Sequence, residues 1–155
     1  MTANDQTTVA VLAEKPSVAR DIANVLGAKS KGDGYLYGNG YVVTWAIGHL
    51  ASLAQPHEIN PAWKQWRRDS LPMLPAAWPL VVYDKTKQQF EVVRKILNSP
   101  RVGSLVCATD AGREGELIFR YIYEAAGCTK PVQRLWISST LPASARSSAP
   151  LTPDA

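Results

Sequence analysis

Two short stretches of this 155-residue chain place acids and bases in an arrangement suited to phosphate chemistry. Glu14-Lys15 follows the apolar run Val9-Ala-Val-Leu-Ala13, and Asp110-Ala-Gly-Arg-Glu-Gly-Glu116 follows Leu105-Val-Cys-Ala-Thr109. The carboxylates of Glu14, Asp110 and Glu114 suit Mg²⁺, which prefers oxygen ligands and commonly takes one or two carboxylates while keeping several waters. Such an ion beside a phosphodiester polarises phosphoryl oxygens and stabilises charge on the attacking or leaving oxygen. Lys15 and Arg113, each adjacent to an acid, supply a point charge and a two-pronged clamp for the phosphate itself. Acids at a strand end or in a first helical turn also act as caps and dipole partners, and Glu116 is the member of the group that fits that role best.

The elements that must position these residues are legible in the spacing of apolar side chains. Val9–Ala13 reads as a short buried strand. Pro16 opens a helix whose apolar face is Val18, Ile22, Val25 and Leu26, and Gly27 is placed to end it. Gly34–Ala46 reads as a hairpin around the two-residue turn Asn39-Gly40. From Ala54 to Pro79 the chain is rich in Pro and Trp with no sustained period, and one short helix is expected near Trp63–Arg68. A strand over Val81–Tyr83 precedes a helix over Thr86–Asn98 with Phe90, Val93 and Leu97 on one side. Ser104–Ala108 is a further buried strand. The helix after it turns Leu117, Ile118, Tyr121, Ile122 and Ala125 inward and stops at Gly127, and Gln133–Ile137 makes a last strand. Helices alternating with short buried strands predict an α/β fold with a mostly parallel central sheet. In such sheets ligands gather at the carboxyl ends of strands, which puts Glu14, Asp110 and Glu114 on one edge if their strands are neighbours.

Composition sets wider bounds. Hydrophobic residues make up 46% and charged residues 19%, ordinary for a globular protein with one core. The N-terminus is polar, and no apolar run approaches the roughly 20 residues of a membrane helix. The two cysteines, Cys107 and Cys128, lack metal-ligand spacing, and a reduced, cytoplasmic setting follows. A net charge of +4 favours a polyanionic partner only mildly.

Four stretches carry a family resemblance. Ala13-Glu-Lys-Pro-Ser17, Ala46-Ile-Gly-His-Leu50, Ala108-Thr-Asp-Ala-Gly-Arg-Glu-Gly-Glu-Leu-Ile118 and Trp136-Ile-Ser-Ser139 resemble, in order and spacing, the Toprim domain of type IA DNA topoisomerases, the bacterial topoisomerase III branch and its plasmid-borne forms above all. The resemblance runs from about Val9 to Ser139. It implies a Toprim (Rossmann-like) fold over residues 8–139, and a Mg²⁺-dependent, ATP-independent, nucleoid-associated isomerase that cuts and rejoins single-stranded DNA through a tyrosyl phosphate. It implies that Glu14 is the acid of the first motif, that Lys15 contacts phosphate, and that Asp110, Gly112 and Glu114 stand at the Asp-x-Asp-x-Glu signature. Gly112 replaces the second aspartate of the commonest pattern, as in some bacterial relatives, which favours one well-held ion over two. His49 is the family's candidate for contact with DNA phosphate, and it serves equally well as a hydrogen-bonded structural histidine.

The resemblance also implies what lies outside this stretch. The family's nucleophilic tyrosine belongs to a later domain, and none of Tyr35, Tyr37, Tyr41, Tyr83, Tyr121 and Tyr123 matches its motif. Relatives continue from Trp-Ile-Ser-Ser into a string like Leu151-Thr-Pro-Asp-Ala155, which here follows eleven intervening residues, Thr140 to Pro150. The expectation is a truncated or excised chain with a disordered start over residues 1–7 and a linker-like tail over 140–155, whose partners are the remaining topoisomerase domains. A Toprim nuclease or primase-like enzyme, and an inactive nucleic-acid-binding remnant, are the competing readings. Trp63-Lys-Gln-Trp-Arg-Arg68 interleaves aromatic and basic residues, as stacking sites for single strands do, or covers the core as an amphipathic surface helix. His57 reads as a surface residue and Cys107 as a small buried hydrophobe.

Overall fold

The computed structural model describes residues 7–136. Among these, six strands form one sheet in the order β2-β3-β4-β1-β7-β8, and two more, β5 and β6, form a small antiparallel pair. The strands are β1 (Thr8–Ala13), β2 (Ser30–Gly32), β3 (Tyr35–Gly38), β4 (Tyr41–Trp45), β5 (Ala51–Leu53), β6 (Leu80–Val82), β7 (Val102–Ala108) and β8 (Val132–Arg134). The helices are α1 (Pro16–Leu26), the single turn α2 (Pro56–Ile59), α3 (Lys87–Leu97) and α4 (Arg113–Ala125). Strands β4, β1, β7 and β8 run parallel, while β3 pairs antiparallel with both β2 and β4. The expected mostly parallel α/β architecture is what the chain adopts.

Alternation along β1 divides the core. Ala10 and Leu12 face a cluster containing Phe90, Val93 and Leu97 of α3 and Ile118, Phe119 and Ile122 of α4. Val11 and Ala13 face the other way, onto Ala19, Ile22 and Ala23 of α1. Three layers result, with β1 buried at the centre as a continuous apolar run must be.

Local signals worked where they were chemical. Pro16 occupies the first turn of α1, and Gly27 closes it at φ 76°, a conformation that costs glycine nothing. Asn39 and Gly40 take φ 50° and 79°, the paired positive values of a tight hairpin turn, and the Asn39 amide donates to the Leu26 carbonyl. Thr44, wholly buried in β4, donates to the Gly34 carbonyl, and Gln89 of α3 donates to Gly34 and Trp45 carbonyls, so α3 ties down the hairpin beside the sheet edge.

Three expectations need correction. Val25 and Leu117 face solvent, at 52% and 42% exposure, and Phe119 rather than Leu117 fills the core from α4. The helix expected over Trp63–Arg68 is instead two 3-10 turns, Pro61–Lys64 and Arg68–Ser70, with extended backbone at Gln65 and Arg67. There the Arg67 N–H donates to the Ser70 hydroxyl, a local side-chain bond that competes with helical pairing. Ser30–Gly32 adds an edge strand that no apolar pattern announced. The last strand ends at Arg134, short of the expected Ile137. The expected terminal segments, apart from Thr7, lie outside the described residues, as do the last three residues of the Trp136 motif.

Candidate functional site

Parallel register brings the chemistry to one edge. Ala13 at the end of β1 is level with Trp45 of β4 and Ala108 of β7, so the residues that follow all leave the sheet on the same side. The chain moves outward from β1 in both directions, to β4 on one flank and β7 on the other, with α1 and α4 on opposite faces. Carboxyl ends at such a reversal point leave a crevice between diverging loops. Glu14 and Lys15 leave β1 into it, and Asp110 and Glu114 come from the turn between β7 and α4.

The contacts are specific. A Glu14 carboxylate oxygen (Oε2) accepts the Asp110 backbone N–H at 3.1 Å, joining the two loops. Lys15 Nζ lies 3.7 Å from Asp110 Oδ2, both side chains being about 60% exposed. His49 reaches the same edge on the loop after β4, with Nε2 at 3.3 Å from Glu114 Oε1. Exposed pairs of this kind are worth about 0–1 kcal/mol. Lys15 and His49 are therefore free, energetically, to exchange these carboxylates for an incoming anion.

The donor set suits Mg²⁺ in one respect and limits it in another. Glu14 and Asp110 are neighbouring, solvent-accessible hard oxygen donors. Among the described residues no three His, Cys, Asp or Glu side chains gather into a group able to hold a metal. The fit is to an ion taking one or two carboxylates and keeping its remaining waters. Glu114 pairs with His49 at this edge. Gly112, at φ −162°, adopts extended backbone open to any residue, and a Cβ there meets no atom within 4 Å. Arg113 forms no ion pair among the described residues. It lines a cavity of about 770 Å³ beside α4, with Glu116, Leu117, Arg134 and Trp136. A separate cavity of about 570 Å³ lies between the hairpin and α3, lined by Tyr35, Tyr37, Thr8 and Arg101, and contains none of the candidate residues.

Sequence comparison agrees with this fold. The Toprim domain profile matches residues 9–140, most of the chain. The chain belongs to the Toprim family. Similar proteins include the DNA topoisomerase 3 of Shouchella clausii, 58% identical over 130 residues, and that of Bacillus subtilis, 53% identical over 129. The DNA topoisomerase 3 of Staphylococcus epidermidis is 49% identical over 129 residues. These alignments take in 83–84% of this chain and 18% of each relative, so the Toprim domain described here spans less than a fifth of the length of those proteins.

One residue of this Toprim domain was not legible in the sequence. Arg134, at the end of β8, is only 10% exposed. Its Nη1 donates to Cys107 Sγ at 2.7 Å, Glu116 Oε2 at 2.8 Å and Thr109 Oγ1 at 3.1 Å. Its Nη2 donates to the carbonyls of Asp110 at 2.7 Å and Thr109 at 3.3 Å. Glu116, bound to Arg134 and also to Arg120 at 2.7 Å, faces these cations, the ordinary occupation of a first-turn acid. The signal was a basic residue in a strand beside a buried strand, and its partners are 18 to 27 positions away.

Cys107 is buried as expected. Burial raises its thiol above the ordinary range, against smaller lowering effects from the Thr109 hydrogen bond and the Arg134 charge. The folded state thus holds the thiol proton more tightly than the unfolded chain, and this contribution is fully present below the unfolded pKa. Stability is lost as pH rises through that value and on through the folded one. Cys107→Ala is expected to shrink the stability difference between about pH 7 and about pH 10, read from urea denaturation at each pH.

Proposed function

We propose that this chain supplies the metal- and phosphate-binding half of a type IA topoisomerase centre acting on single-stranded DNA. The observation that carries this reading is the junction of Glu14 with Asp110 at the point where the strand order reverses, with Lys15 beside both. Glu14 and Asp110 would hold Mg²⁺, with Glu114 and His49 flanking. When bound, that ion supplies positive charge to the phosphoryl oxygens and to the oxygen that leaves or attacks. Lys15 then places its ammonium on the phosphate, giving up a solvent-screened pair with Asp110. Glu14 also holds the Asp110 amide, so the two loops keep their spacing while substrate enters. Arg113 and His49 are the further hydrogen-bond donors proposed to meet the strand beside it. The tyrosine of the cleavage step would come from another segment, since among the described residues no tyrosine hydroxyl bonds to Glu14, Lys15, Asp110 or Glu114. Domain limits near residues 8 and 139 and a nucleoid-associated setting belong to the same reading. In the described residues no helix is long and apolar enough to cross a membrane.

Calorimetric titration with Mg²⁺ tests the site directly. Glu14→Gln and Asp110→Asn are each expected to weaken binding about tenfold or more, with melting temperatures close to that of the parent chain. Unaltered affinity in both variants would remove these residues as ligands. Incubation with labelled single-stranded DNA and Mg²⁺ separates the competing readings. Strand hydrolysis lost on Asp110→Asn would turn the assignment to a Toprim nuclease.

A further inference from the structure

We propose that Arg134 is the positioning residue of the acid loop, setting the orientation of Asp110 from behind. The inference rests on the reading of Asp110 as a metal ligand, and it begins from the loop's own chemistry. Gly112 stands at the N-cap of α4 and has no side chain to cap the helix. The turn is closed instead through the Asp110 carbonyl, which accepts the Gly112 N–H at 2.9 Å and the Arg134 Nη2 at 2.7 Å. Gly115 lets the helix backbone lie against that same carbonyl. With its carbonyl held inward, Asp110 sends its carboxylate outward, where Lys15 meets it.

The clamp requires arginine. Five contacts converge on the two Nη atoms of one guanidinium from the loop backbone, a hydroxyl, a thiol and a carboxylate, and the four N–H groups of that planar fork reach them together where the three of a lysine ammonium do not. Glu116 neutralises the cation, and the Trp136 ring lies 5.9 Å from it on another side. Ligand-orienting partners of this kind typically change metal affinity by about 10–100-fold when removed.

Arg134→Lys, which keeps the charge, and Arg134→Gln are to be compared with the parent chain by NMR without metal, by thermal melting and by Mg²⁺ calorimetry. The expected result is displaced Asp110 and Gly112 amide resonances in the metal-free variants and Mg²⁺ affinity lowered about tenfold or more, also in folded Arg134→Lys. Adding Asp110→Asn to Arg134→Lys should then cost little further affinity, because both changes disable one ligand. A folded Arg134→Lys with parental affinity and unmoved Asp110 resonances overturns the proposal. So does an additive loss in the double variant, which would assign Arg134 a role independent of Asp110. If the parent chain takes up no Mg²⁺, the metal reading fails by itself, and the metal-free resonances still decide whether Arg134 orients Asp110.

Discussion

Gly115→Ala is expected to destabilise the domain by about 2–3 kcal/mol, although the same change in an ordinary helix interior stabilises by up to about 1 kcal/mol. The reversal of sign follows from one close approach. A Cβ at Gly115 would fall 2.1 Å from the Asp110 carbonyl oxygen and 2.9 Å from its carbonyl carbon and nitrogen. All three are backbone atoms, so no rotamer change relieves the clash; α4 must lift or the loop must move. Lifting α4 opens the contacts of Ile118, Phe119 and Ile122, each at most 2% exposed. Moving the loop breaks the Arg134 bond to Asp110 and the Glu14 bond to its amide. For a chain of this size the loss corresponds to a fall in melting temperature of roughly 5–10 °C. Thermal denaturation checks it, and a variant that melts at or above the parent temperature would show that the helix and loop are not in forced contact. Where the variant remains folded, displacement of the loop should weaken Mg²⁺ binding as well.

Gly115 also illustrates what was legible beforehand and what was not. Its place in the motif was visible, but the reason for glycine lies in the approach of a helix to the loop before it, which no periodicity encodes. Pro16, Gly27 and Asn39-Gly40 were readable because each acts through its own backbone angles. The parallel order of β1 and β7 followed from alternation of strands and helices, and with it the shared edge of Glu14 and Asp110. Side-chain pairing across that edge did not follow. His49 meets Glu114 over 65 positions, and Arg134 meets Asp110 over 24. Helix faces were only partly legible: Val25 and Leu117 sit at the borders of apolar stripes, and the spacing that admits Leu117 admits Phe119 too. The fold decides between them, because the sheet covers one flank of α4 and the other is left to solvent. The weak, exposed pairs of Lys15 and His49 and the buried clamp of Arg134 thus divide the edge into groups that can exchange partners and a group that holds them in place.

Gly112→Asp should strengthen Mg²⁺ binding about tenfold. Three features make the position permissive. Its backbone at φ −162° suits an L-residue, its Cβ direction is open for 4 Å, and it precedes α4 as the N-cap. Aspartate is a preferred N-cap, and negative charge at a helix start is favourable, so stability should hold or rise by a few tenths of a kcal/mol. The added carboxylate would stand two residues along the chain from Asp110, as a further donor for the Glu14–Asp110 pair. Capping and metal binding compete for its oxygens, and the measurements separate them. A higher melting temperature with unchanged Mg²⁺ affinity means that Asp at position 112 turns inward to the α4 amides, and the claim of a thinned ligand set then fails. Tighter binding that disappears when Asp110→Asn is added places the new carboxylate on the same ion. On that outcome Gly112 limits affinity by omission, and the Glu14–Asp110 junction is where the metal sits.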